Sequence, residues 1–254
     1  MSALSETVWE VPQHMRGAVQ STFYLQSNAI DDPSPWTGER SPYGPFAQVF
    51  LAEIKPAELR SPKKALAHPG EADWREWQGF MTRLRGTSGK MRIVDYYRMR
   101  PVYDARNTPT LSNWSDGSTW SDGSQWSSGA LPPYVTLDEA ASADADSIVL
   151  RGLPANTEAV LNPSDLIELR PNGIATTYGN MYEIVHCART NSAGKARVYL
   201  GPGLRQGFAA GDMVVLRYPT CVFRLASANE GIVTRTLGNI GSLGFKLIEC
   251  VRDA

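Results

Sequence analysis

The chain lacks an excess of charge of either sign, a long apolar run and an even set of cysteines, and each lack removes a class of function. Its 25 Lys and Arg stand against 26 Asp and Glu over 254 residues, a formal net charge of −1. A domain that neutralises nucleic-acid phosphates gathers basic residues on one face or stretch. No such run occurs here, so sequence-specific nucleic-acid binding is not expected. No segment approaches the roughly 18 consecutive apolar residues of a membrane span; the run Met213 to Leu216 is typical of the longest. The first nine residues, Met1 to Trp9, carry neither the basic start nor the apolar core of a secretory signal, and a cytosolic product is expected. Cys187, Cys221 and Cys250 are odd in number and widely spaced in apolar or alternating stretches. They read as buried thiols rather than as a disulfide or metal set.

Charged residues make up 20% of the chain, below the usual quarter, while Gly (22) and Pro (17) run above average. That balance favours short strands joined by many turns. Residues 18–27 are rich in strand formers, and the polar, proline-bearing stretch from Asn28 to Pro35 reads as a loop after them. Phe46, Val49, Phe50, Leu51 and Ile54 favour a second strand over 45–54, although the same residues could wrap a helix. The clearest element is a helix over 71–85, because Trp74, Trp77, Met81 and Leu84 recur at the spacing of one helical face. Glu71 and Asp73 suit its N-terminus, Arg83 and Arg85 its C-terminus, and Gly86 follows as a cap. Met91, Ile93 and Val94 predict a strand next. From about Pro101 to Ser147 aliphatic residues thin out, Ser and Gly rise, and an acidic stretch runs from Asp138 to Asp146; this region reads as an insertion or linker.

From Ser147 onward the pattern is all β: strands are expected at 147–151, 165–169, 181–187, 195–200 and 213–218, then at 221–225 and 243–250. The sequence from Asn191 to Gly194 supplies one hairpin loop and Asn172 with Gly173 another turn. Strands this short at this spacing make a small barrel or sandwich. The buried face of the last strand stays open, because Phe245 and Leu247 alternate with Lys246 and Ile248 without a clean apolar side.

No catalytic constellation emerges. The glycines at 201, 203 and 207 miss the dinucleotide spacing, and no helical pattern follows them. Lys195 ends a stretch resembling a phosphate loop, but Ala196 stands where Ser or Thr would meet magnesium. His14, His68 and His186 have no second ligand at metal spacing. His186 and Cys187 are adjacent on a predicted strand and so point to opposite faces, unsuited to a nucleophile and its base. No enzyme activity, cofactor or metal is expected.

The most unusual feature is a six-residue repeat that places Trp114, Trp120 and Trp126 at equal intervals, with Asp-Gly or Ser-Gly behind each indole. An even period puts all three rings on one side of an extended chain, while Asp-Gly turns would stack them as loops. Tryptophan offers large contact area at little entropic cost. A contact with another protein or within the chain's own domain is the leading reading, ahead of sugar binding and of an ion held by Asp116 and Asp122.

Read in order, the N-terminal strand, Trp36 to Arg40, the strand from Phe46 to Ile54, the helix with Trp74, Trp77 and Phe80, and the residues 84–86 and 89–95 form a pattern. It continues through Gly211 to Val214 and Phe223 to Leu225. Over most of the chain this resembles the distal tail proteins of long-tailed bacteriophages, in particular a diverged group from phages of Gram-negative bacteria. The likeness implies a mainly β fold: a split β-barrel ring-forming domain with one amphipathic helix, from residues 1–103 with 217–254, and an inserted small β-barrel or sandwich at 147–216. Residues 104–146 would be a Ser, Gly and Trp-rich insertion. It further implies a structural virion protein that forms a ring with its copies, commonly a hexamer, between the tail tube and the hub or baseplate, with side fibres as a further partner. Such a chain is assembled in the host cytoplasm and resides in the virion tail. The tryptophan repeat lies outside the likeness. It supports the alternative of a carbohydrate-binding or host-adhesion module.

Overall fold

The computed structural model describes residues 7–11, 18–26, 30–33, 40–43, 49–56, 71–107, 131–227, 229–230, 234–235, 241–242 and 244–251. The protein is mainly β and divides into two compact units. One comprises residues 1–97, 177–179 and 220–254, the other 98–176 and 180–219.

The first unit is built on a six-stranded sheet. Its strands are β1 (Val8–Glu10), β2 (Ala18–Gln26), β5 (Val49–Pro56), β6 (Lys90–Val94), β13 (Thr220–Leu225) and β16 (Phe245–Glu249), in the order β1-β6-β13-β16-β5-β2. The β1–β6 pair is parallel and the other pairs are antiparallel. Two separate antiparallel pairs fall in the same unit: β3 (Ile30–Pro33) with β4 (Arg40–Tyr43), and β14 (Thr234–Arg235) with β15 (Gly241–Ser242). Residues 30–33, expected in a loop, are therefore strand; the Ile30 to Pro33 backbone finds a partner in 40–43 that local composition does not announce.

Alternation places Met91 and Ile93, Cys221, Phe223 and Leu225, Phe50, Ala52 and Ile54, and Phe245 and Leu247 on one buried face. The Phe23 and Phe223 rings meet edge to face at 5.6 Å, although β2 and β13 stand three strand positions apart. On a flat sheet that is about 14 Å, so the sheet curls around its buried face. The odd-numbered side of β16 is the inner one, and Glu249 shares it at 2% exposure. A buried carboxylate among apolar neighbours explains why β16 shows no clean apolar stripe.

Helix α1 (Glu71–Leu84) follows the predicted span, and at its C-terminal end Phe80 and Leu84 are buried. The side chains of Trp74 and Trp77 lie outside the described residues. The helix stops with Arg85 (φ 49°) and Gly86 (φ 67°) both left-handed. The Gly89 N–H then donates to the Leu84 carbonyl at 2.7 Å. A β-carbon at Gly89 would run into that carbonyl, so glycine is required there by close approach.

The second unit is a closed barrel of six strands: β7 (Tyr134–Leu137), β8 (Ser147–Arg151), β9 (Leu166–Arg170), β10 (Met181–Ile184), β11 (Lys195–Gly201) and β12 (Met213–Val215), joined as β10-β11-β8-β7-β12-β9. Inward residues such as Leu137, Leu150, Ile167, Tyr182, Val198 and Val214 form one apolar core. Both predicted turns are built as turn chemistry demands. Asn191 Oδ1 accepts the N–H groups of Ala193 (2.9 Å) and Lys195 (3.0 Å), with Gly194 at φ 69°; Asn172 (φ 52°) and Gly173 (φ 73°) are left-handed.

Two expectations are corrected here. Residues 131–146 are not linker: Leu131, Val135 and Leu137 are core, and β7 is a barrel strand. With two inward aliphatic residues between a Pro-Pro pair and the acidic stretch, β7 is too short to register in local composition. Cys187 is exposed, whereas Cys221 and Cys250 are buried as expected. The strand predicted over 181–187 ends at Ile184, and residues 185–187 beyond it are exposed.

Candidate functional site

The candidate contact residues Trp114, Trp120 and Trp126 lie outside the described residues, as do Asp116, Asp122, His14 and His68. The structure does describe the two stems from which the repeat departs, and both belong to the barrel unit. The segment leaves at the end of α2 (Val102–Asn107) and the described chain resumes at Leu131.

Both stems converge on one fully buried carboxylate. Asp104 Oδ1 accepts the Leu131 N–H at 3.0 Å and receives the Arg217 guanidinium at 2.8 Å. One end of the excursion, its other end and the chain just past β12 are thus tied to a single oxygen. Charge-assisted bonds of this kind are the stronger ones, and stranding a buried charge by deleting its partner is costly. A second aspartate fixes α2 from its start: Asp165 accepts the N–H of Val102 at 2.9 Å and of Asn162 at 2.7 Å. Burial pushes the Asp165 carboxyl above the usual carboxylate range, against the lowering pull of those two N–H donors and of the Arg98 charge. Nearby, Arg98 meets Glu183 at 3.3 Å, and the Ser164 hydroxyl donates to the same carboxylate at 3.1 Å.

The first unit holds a separate polar cluster. Glu249 Oε2 accepts the Phe50 N–H at 2.9 Å, Oε1 stands 3.2 Å from Cys221 Sγ, and the Gly179 backbone packs against the same side chain. Burial raises the Cys250 thiol, with Lys90 and Arg224 opposing and Glu249 adding to the rise. A thiol held protonated is a poor nucleophile.

His186 is exposed and lies edge to face with Tyr199 at 5.5 Å. Gly201 ends β11, and Gly203 and Gly207 follow it outside the strand. No group of three or more His, Cys, Asp or Glu among the described residues is placed to hold a metal ion, and no described helix is long and apolar enough to cross a membrane. Sequence reasoning missed Asp104, Asp165 and Arg217. Each is an isolated charge in an ordinary context, and only the fold brings Asp165 and Arg217 to α2, which carries Asp104.

No model of a known protein family matches the chain, and no curated protein matches it.

Proposed function

We propose that the chain is a structural component of a bacteriophage tail tip that closes with its own copies into a ring, commonly hexameric, between tail tube and hub. The observation that carries this is the order and spacing, over most of the sequence, of the residues that resemble distal tail proteins. The curled sheet fits the split ring-forming domain implied by that likeness, since β1, β2, β5 and β6 come from the N-terminal part and β13 and β16 from the C-terminal end. The closed barrel fits the inserted β-domain. A ring needs two different complementary surfaces on each subunit, a heterologous contact that closes on itself. On this reading the protein is not an enzyme and needs no cofactor; its partners are its copies, the tube, the hub and side fibres, and it is carried in the virion tail after assembly in the host cytoplasm.

The native mass of the purified protein tests this. A discrete species of about six subunits is expected; an isologous two-fold dimer as the only assembly would contradict it. The second reading, an adhesion module, rests on the tryptophan repeat alone. Replacing Trp114, Trp120 and Trp126 together by Ala separates the two: loss of glycan binding with assembly intact favours adhesion, and loss of assembly favours the structural role.

A further inference from the structure

The outer wall of the barrel carries a feature on which the ring proposal does not draw. Ile148 and Leu150 on β8 and Ala196, Val198 and Leu200 on β11 point inward, so the alternate residues of both strands face out. The register sets Lys195 opposite Arg151, Arg197 opposite Val149 and Tyr199 opposite Ser147. Tyr199 and Arg197 therefore share a face two residues apart, roughly 7 Å along the strand, and Arg151 lies diagonally from Arg197 at about the same distance. Tyr199 is 43% exposed, and Arg151, Arg197 and His186 are exposed as well.

Charge on this wall is unevenly matched. Lys195 is neutralised by Asp138 at 2.7 Å. Arg151 donates only to the Thr136 hydroxyl, at 3.0 Å, and neither it nor Arg197 has a carboxylate partner among the described residues. Beside them the His186 and Tyr199 rings stand perpendicular, 83° between planes. The Val185 N–H ties that rim to the Tyr199 carbonyl at 3.0 Å. The wall thus offers ring faces held in place next to two guanidiniums open to an anion.

We infer that this face, formed by Arg151, Arg197, Tyr199 and His186, binds a carboxylated saccharide, a uronic-acid polymer. Sugar rings pack their C–H faces on aromatic side chains, and guanidinium matches carboxylate with two parallel hydrogen bonds. Exposed Asp144 and Asp146 lead into β8, and Asp146 adjoins Ser147, opposite Tyr199. A sugar hydroxyl can donate to them, whereas a phosphodiester backbone has no donor to offer. Carboxylates borne on hydroxyl-rich sugar units suit two spaced arginines flanked by acids. The inference is independent of the ring reading and of the tryptophan repeat.

The test is calorimetric titration of the full chain with a hexamer of galacturonic acid, with its neutral methyl ester and with an oligo(dT) strand as comparisons. The acid form is expected to bind, to weaken with salt, and to lose about tenfold or more in affinity in R151A/R197A and again in Y199A. These side chains point outward, and an unchanged melting temperature verifies that each variant folds. The W114A/W120A/W126A variant is expected to bind as the parent does. No binding at millimolar hexamer, equal binding of the ester, undiminished binding by R151A/R197A, loss of binding in the triple tryptophan variant, or tighter binding of oligo(dT) would each overturn the inference.

Discussion

The two units solve the same problem in opposite ways. The barrel pairs every strand with two neighbours and closes, which abolishes edges. The sheet of the first unit, among the described residues, ends on β1 and β2. The barrel strands come from one nearly continuous stretch, with hairpin-type pairs such as β7 with β8 and β9 with β10. The sheet joins β6 to β13 across the whole barrel sequence and seats β16, from near the end of the chain, between β13 and β5. The difference teaches where association is to be sought. A closed barrel meets partners through side chains on its wall, whereas the sheet does not close on itself among the described residues. We therefore propose the ring contact for the sheet unit and ligand contact for the barrel wall.

Core substitution gives the strongest test of that contrast. Leu150→Ala empties a fully buried position of the barrel and is expected to cost about 3–4 kcal/mol in denaturant unfolding. Hydrogen exchange should rise first in β7, β8 and β11; exchange rising first in β13 and β16 would erase the distinction between the units. Asp104→Ala comes next. It strands Arg217, which is partly exposed, and releases Leu131, for about 2–3 kcal/mol. Proteolysis should then accelerate at the stems of the 108–130 segment, and an unchanged cleavage rate would show that the carboxylate does not hold them.

In the first unit, Gly89→Ala forces a β-carbon against the Leu84 carbonyl and should cost about 1–2 kcal/mol. Its melting curve should match the parent if the turn after α1 has more slack than this packing implies. The smallest effect concerns pH. The folded Asp165 carboxyl titrates above its unfolded value, so the native state holds the proton more tightly. Its contribution favours folding below the unfolded value, around 3.8, and fades as pH rises through the raised folded value. Melting temperatures of the parent and of Asp165→Asn, compared from acidic to neutral pH, should show the parent gaining on the variant as pH falls. A constant difference would remove Asp165 as the titrating group.

Much of the barrel is legible in sequence because its signals are local. The strand over 147–151 is predicted to the residue, and the Asn191 to Gly194 turn is recognisable since the asparagine oxygen and a left-handed glycine do the same work in any hairpin. Helix α1 is equally plain from its 3.6-residue period. β7 is hidden because four residues with two inward aliphatics cannot outweigh their Ser, Pro and acid neighbours. The sheet is harder to read. The parallel β1–β6 pair and the seat of β16 between β13 and β5 depend on long-range pairing that no local pattern encodes, and buried Glu249 breaks the apolar stripe that would have oriented β16. At the candidate site, the tryptophan repeat announces itself by period, whereas Asp104 and Asp165 become meaningful only once α2, which carries Asp104, is placed against Asp165.

The ring is the central claim, and images of single particles test it most directly. Negative-stain class averages of the purified protein should show a closed ring of about six subunits around a central hole. Averages showing only two-fold particles without a hole would contradict the account.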